Sequence, residues 1–174
     1  MTENSPGITT LHNLLDYDAR KFTIGEILLR NSLPEWINKA GSLKLKTVLQ
    51  KYLDFVQQHV QKMGSFFEEE EISSLSLSNR VMETFIEETN EKISRCTDAE
   101  IKDACLLACI QAINHFKIST YGTAASFAKA LCMEKQAALF HEAEVNEKQI
   151  DDRLSQLAEQ EINFKARAPI VLPG

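Results

Sequence analysis

From Glu35 to Ala168 the chain carries no proline, and only Gly41, Gly64 and Gly122 interrupt that stretch. Strands need turn residues between them at short intervals, so a run this long without them reads as helix throughout. The apolar residues agree. Leu15, Ala19, Phe22, Glu26, Leu29, Leu33 and Trp36 recur at spacings of three or four and share one face of a helix expected over about 10–40. Gly25 and Pro34 are points where it is expected to bend or break. Gly41 reads as its C-terminal cap and Ser42 as the next N-cap.

A second helix, about 43–69, carries the seam Leu45, Leu49, Tyr52, Val56, His59, Met63 and Phe66. The acidic run Glu68–Glu71 and the serines of 73–78 form a connection. A shorter helix over about 79–95, with Val81, Met82, Phe85, Ile86 and Ile93, is expected to lie across the outside. Thr97 or Asp98 starts a third long helix, about 98–131. Two of its seams read as buried: Cys105, Ala108, Ala112, His115, Ser119 and Gly122, and Leu107, Ile110, Asn114, Ile118, Tyr121 and Ala125. Gly122 is expected to admit a close neighbour. The fourth, about 134–165, has Phe140, Ala143, Glu147, Ile150 or Asp151, Leu154, Ala158 and Ile162. The fold class is therefore all-α: a four-helix bundle with one additional short helix between the second and third long helices.

A chain of 174 residues is expected to form a single domain over 1–174, its core at about 10–165 and its ends, 1–9 and 169–174, mobile. A net charge of −6 argues against nucleic acid as a partner. No apolar run reaches membrane-spanning length and no secretory leader is evident, so no membrane is expected and the reading is cytoplasmic. The four cysteines, Cys96, Cys105, Cys109 and Cys132, include no CxxC pair and read as small free hydrophobes. Patterns for a nucleophile elbow, a phosphate loop, a dinucleotide fold, an HExxH zinc site or an EF-hand are absent. That removes support for nucleophilic or nucleotide-dependent catalysis.

The informative feature is a polar interruption of the apolar seams. Glu26, His59, Glu147 and Asp151 all fall on faces expected to be buried. A buried carboxylate without a partner costs several kcal/mol, on the order of 2–7 for a polar group and more for a charge. A metal ion or a mutual hydrogen-bond network offsets that cost. Tyr52 and Tyr121 are expected to hydrogen-bond a core polar group. His12 and His141 read as surface residues without a constellation, and His115 as a partly buried histidine.

The run Ala112-Ile113-Asn114-His115-Phe116-Lys117-Ile118-Ser119-Thr120-Tyr121-Gly122-Thr123 resembles the third-helix signature of the ferritin-like YciE/YciF family. The stretch Asp103–Ala108, the run Asn146-Glu147-Lys148 with Asp151, and Glu26 ahead of Leu33-Pro34 resemble it too, over about 10–158. The resemblance implies a ferritin-like four-helix bundle of bacterial, stress-associated proteins with no established catalysis, and a second copy as partner in a homodimer. It implies that Glu26, His59, Glu147 and Asp151 are metal ligands for iron or manganese. It also implies two departures: Phe55 and Asn114 stand where glutamates are usual. A di-iron centre needs several carboxylates to balance two cations, so the centre is expected to hold one ion or none. In the first case the protein is a metal-binding oxidase or peroxide scavenger. In the second it is a stress protein with a degenerate centre, or a helical interaction module without a metal.

Overall fold

The structure is a computed structural model that describes residues 7–73 and 77–167. The expected mobile tail at 169–174, residues 1–6 and part of the serine connection lie outside the described residues. Among the described residues there are helices and no strands. They are α1 (Leu11–Lys39), α2 (Leu43–Glu69), α3 (Arg80–Arg95), α4 (Ala99–Ala130) and α5 (Glu134–Leu157); a π-helical turn (Ala158–Ile162) then leads into α6 (Asn163–Ala166).

The starts follow local chemistry. Side-chain oxygens of Thr10, Ser42, Asn79 and Asp98 accept from the backbone N–H groups of Asn13, Leu45, Met82 and Ile101, satisfying donors that the first turn leaves free. α1 runs unbroken through both suspected break points. Pro34 lies on the exposed face, where water can reach the Arg30 carbonyl left without its backbone donor. Gly25 is explained by close packing. A Cβ there would lie 2.8 Å from Nδ2 of Asn79, which donates to the Lys21 carbonyl and ties the start of α3 to α1.

Gly41 does not cap α1 in the left-handed conformation; no described glycine has a positive φ. Instead the N–H groups of Gly41 and Ser42 donate to the two carboxylate oxygens of Asp103 on α4, at 2.7 and 2.8 Å. A Cβ at Gly41 would stand 3.3 Å from the Ala99 Cβ. Glycine is there for close approach.

The four long helices pack in a closed ring: α1 on α2, α2 on α5, α5 on α4, and α4 on α1. α3 packs on α1 and α4, with Trp36 Nε1 donating to Asn90 Oδ1 at 2.8 Å. It covers more than expected. Met82 is buried, Phe85 meets Phe116, and Val81 alone of the three stays half exposed.

One seam of α4 departs from expectation. Ala108, Ala112, His115 and Ser119 are exposed, and Cys105 and Gly122 only half buried. The buried face is Leu106, Leu107, Ile110, Ile113, Asn114, Lys117, Tyr121, Ala124, Ala125 and Ala128. Such a face advances alternately by three and four residues, because a helix packed in a bundle repeats every 3.5 residues on average. From Asn114 the next step is three, to Lys117, rather than four, to Ile118.

The core forms two apolar clusters. One gathers Leu29, Leu33, Val56, Ile110, Ile113, Ile150 and Leu154; the other gathers Leu15, Ala19, Met63, Phe66, Ala124, Phe140 and Ala143. Between them lies a polar layer.

Candidate functional site

Each long helix contributes at least one buried polar residue to that layer. Glu26 comes from α1, Tyr52 and His59 from α2, Asn114, Lys117 and Tyr121 from α4, and Glu147 from α5; all are buried. The centre of the layer is the Lys117 ammonium. Its Nζ stands 2.9 Å from Oε1 of Glu26 and 2.5 Å from Oε1 of Glu147. It also donates to the Tyr52 hydroxyl at 3.3 Å and lies over the Tyr52 ring.

The carboxylates are held by neutral donors as well. Tyr52 donates to Oε2 of Glu147 at 2.8 Å, and Asn114 Nδ2 donates to the same oxygen at 2.7 Å and to the Glu147 carbonyl at 2.9 Å. Tyr121 donates to Oε1 of Glu26 at 2.9 Å. His59 stacks on Phe55 and meets the edge of Tyr121. Its Nε2 lies 3.3 Å from Asn146 Nδ2, and its Nδ1 faces Glu147 and Glu26 at 3.6 and 3.9 Å. With Asn146 donating to Nε2, the ring proton sits on Nδ1, aimed at the two carboxylates but beyond hydrogen-bond reach. Nδ1 of His59, Oε2 of Glu26 and Oδ1 of Asn114 are buried without a hydrogen-bond partner.

Burial by itself pushes the Glu26 carboxyl up, but the Lys117 ammonium and then His59 overcome this and hold its pKa at about 2. Burial pushes Lys117 down; Glu147 and Glu26 together outweigh it and raise its pKa. Tyr52 and Tyr121 are raised well above the ordinary tyrosine value, by burial first and by the carboxylates next, so both stay neutral donors.

These shifts predict a pH profile. The Glu26 pKa is depressed from 4.5, so its contribution, on the order of 3 kcal/mol, is present above pH 4.5 and lost as pH falls towards 2. The Lys117 pKa is raised, so its contribution is present below pH 10.5 and lost as pH rises through the raised value. Thermal melts across pH are expected to show a steep acid limb below pH 4.5 that Glu26→Gln flattens. An acid limb identical in that variant contradicts the assignment.

The structure brings together three of the four residues singled out in the sequence. Glu26, His59 and Glu147 each offer a ligand atom, all within 4.8 Å of one another. Asp151 is not among them. It is partly exposed, accepting from Gln111 and pairing with His115 Nε2 at 2.8 Å. The step along α5 from Glu147 to the next core position is three, to Ile150, which leaves Asp151 turned towards α4. His115 is correspondingly exposed. His12 and His141 are surface residues but do have partners, Glu70 at 2.8 Å and Glu144 at 3.4 Å. Burial first, with Cys109 and Cys96 adjacent, pushes the Cys105 thiol up to about 12, which keeps it unreactive.

Lys117 is the residue that sequence reasoning passed over. The available signal was the alternation of spacings: counted from Asn114 to Tyr121, a lysine falls on the buried face. Its presence decides whether the donors fit a metal. A divalent ion between Glu26, Glu147 and His59 would use the two Oε1 atoms already engaged by Nζ. Lys117 and a divalent ion would set three positive charges against two carboxylates, and the unbalanced charge in a poorly screened interior costs several kcal/mol. With Lys117 in place, the residues do not fit a resident divalent ion.

Residues 10–167 match the family model described as "Domain of unknown function (DUF892)". The chain is 31% identical to Protein YciF of Escherichia coli K12 over 160 residues, covering 90% of this chain and 92% of that protein. Among solved structures it resembles the E. coli stress protein YciF, with a TM-score of 0.83 at 26% identity, over 90% of this chain and 99% of that one. YcfI from Rhodopseudomonas palustris superposes equally well, with a TM-score of 0.83 at 23% identity, over 87% and 96% of the two chains. A more distant likeness, TM-score 0.57 at 14% identity, covers 95% of this chain and 40% of an Anabaena variabilis protein that combines DJ-1/ThiJ/PfpI-like and ferritin-like domains. No helix among the described residues is long and apolar enough to cross a membrane.

Proposed function

The chain belongs to the DUF892 family, and on that premise we propose that it is a ferritin-like, stress-associated protein whose metal centre is replaced by an internal ion-pair network. In this reading one domain, a four-helix bundle carrying α3 as its extra helix, acts through assembly or interaction in the cytoplasm and not through catalysis. A homodimer is the form proposed, with exposed Val81 and Phe164 among its available apolar surface. The likeness to a stress protein supports the setting.

The observation that carries the reading is the position of Lys117 Nζ between the carboxylates of Glu26 and Glu147. The ammonium links helices α1, α4 and α5, and Tyr52 adds α2. A cation supplied by the chain does the structural work of an ion without needing a vacant coordination position. It brings no redox chemistry and no Lewis-acid position for oxygen or peroxide.

Metal analysis tests this. Protein purified without added metal is expected to hold iron and manganese only far below one equivalent. Stoichiometric, tightly bound iron or manganese overturns the closed centre. It would favour the second reading, a one-ion oxidase or peroxide-scavenging site of Glu26, His59 and Glu147, which the unpartnered Nδ1 of His59 and Oε2 of Glu26 support.

A further inference from the structure

We infer that the chain carries a zinc site at one end of the bundle, outside the polar layer, with His12, Asp16 and Glu70 as its ligands and water completing the coordination.

The three side chains converge. His12 and Asp16 stand one turn apart on α1 and share a face, and Glu70 closes the C-terminus of α2, the helix against which α1 packs. Each offers a ligand atom, all within 4.8 Å of one another. Nε2 of His12 lies 2.8 Å from Oε2 of Glu70, and Nδ1 lies 3.8 Å from Oδ2 of Asp16. In the sequence His12 stands without a constellation; the fold brings it a carboxylate from 58 residues away. Glu70 is held in place by the turn that follows it. Glu71 takes the left-handed conformation, with a φ of 54°, and the Ile72 N–H donates back to the Phe67 carbonyl at 2.9 Å.

Charge at this end is unbalanced. The side chains of Asp16 and Glu70 are only 18% and 15% exposed, and among the described residues neither has a lysine or arginine within ion-pair distance. Their shared partner is His12, which is charged only when protonated and then sets one positive charge against two carboxylates. Burial raises the Asp16 pKa and Glu70 adds to it, and His12 and Arg20 do not offset them. Glu70 also sits at a helix C-terminus, whose free carbonyls disfavour a carboxylate, within the run Glu68–Glu71 and with no basic residue in the last turn. A divalent cation would balance both carboxylates.

One acceptor is also left over. Oδ1 of Asp16 is buried and has no hydrogen-bond partner. Coordination of Asp16 would give that carboxylate the partner it lacks. One imidazole nitrogen with two carboxylate oxygens is a zinc ligand set, whereas magnesium and calcium favour oxygen alone, so His12 is the selecting ligand. The His12 side chain is 46% exposed, which gives an ion access from solvent and room for a bound water. Zinc held there ties the start of α1 to the end of α2.

Zinc titrated into the full chain, after treatment with a chelator, tests the site by calorimetry and thermal melts. The wild type is expected to bind one equivalent and to gain a Tm that rises with zinc concentration. His12→Ala and Glu70→Gln, which change side chains at the surface, are each expected to fold and to lose the uptake and the Tm gain together. Magnesium in large excess is expected to leave the zinc in place. A wild type that takes up no zinc, or variants that bind it as the wild type does, overturn the site. Displacement of zinc by magnesium overturns it as well, since an imidazole ligand would resist that exchange.

Discussion

Replacing Lys117 with methionine is expected to cost about 3–5 kcal/mol of folding stability, the usual effect of removing one partner of a buried ion pair. Methionine keeps most of the stem's volume, so the loss reports charge and not a cavity. Two carboxylates then remain buried, with Tyr52, Asn114 and Tyr121 as their hydrogen-bond donors and His59 facing them at longer range. Urea unfolding followed by circular dichroism measures it as a lower midpoint with an unchanged slope. A loss under about 1 kcal/mol would mean that the centre is hydrated or mobile and the ion pairs contribute little.

The same logic reverses a simple expectation for the carboxylates. Buried charges replaced by apolar residues are often neutral or stabilising, so Glu26→Leu with Glu147→Leu looks favourable from sequence. With Lys117 present, the double variant leaves an ammonium buried with neither partner. It is expected to be destabilised by about as much as Lys117→Met. Adding Lys117→Met to it is expected to recover part of the loss, because the three charges act as one unit.

Asp103→Ala carries the next largest expected effect, about 2–4 kcal/mol, from two charge-assisted hydrogen bonds lost at once. Among the described residues the Asp103 carboxylate is the only acceptor for the N–H groups of Gly41 and Ser42, so it staples the α1–α2 connection to α4. Glycine at residue 41 permits the approach and aspartate rewards it. Asp103→Asn keeps one acceptor oxygen and is expected to lose about half as much. Urea midpoints of the two variants, compared with the wild type, check the order. Equal stability of Asp103→Ala and wild type would show that water replaces the carboxylate without loss.

Much of this is legible in the sequence. The seams of α1, α2 and α5 place Glu26, His59 and Glu147 on buried faces, and the structure puts these three in one layer. Thr10, Ser42, Asn79 and Asp98 stand at the helix starts because their side chains satisfy local donors. Gly25 and Pro34 were misleading. A glycine or proline within a helix has a local meaning only if nothing outside the helix needs it, and Gly25 answers to Asn79 on a different element.

The remaining differences have one cause. Residues 117 and 118, like 150 and 151, lie 100° apart on a helix, and the spacing pattern admits either. Packing against the neighbouring helices buries Lys117 in place of Ile118 and Ile150 in place of Asp151.

Sequence by itself determined the long helices, their N-caps and the presence of a polar layer, because periodicity and N-capping are properties of a residue and its near neighbours. Tertiary structure alone decided what neutralises that layer. Charge balance in a buried site is set by which side chains from four separate helices reach the same few ångströms. Here the one that reaches is the Lys117 ammonium, 2.9 and 2.5 Å from the two carboxylates, and Asp151 is turned away.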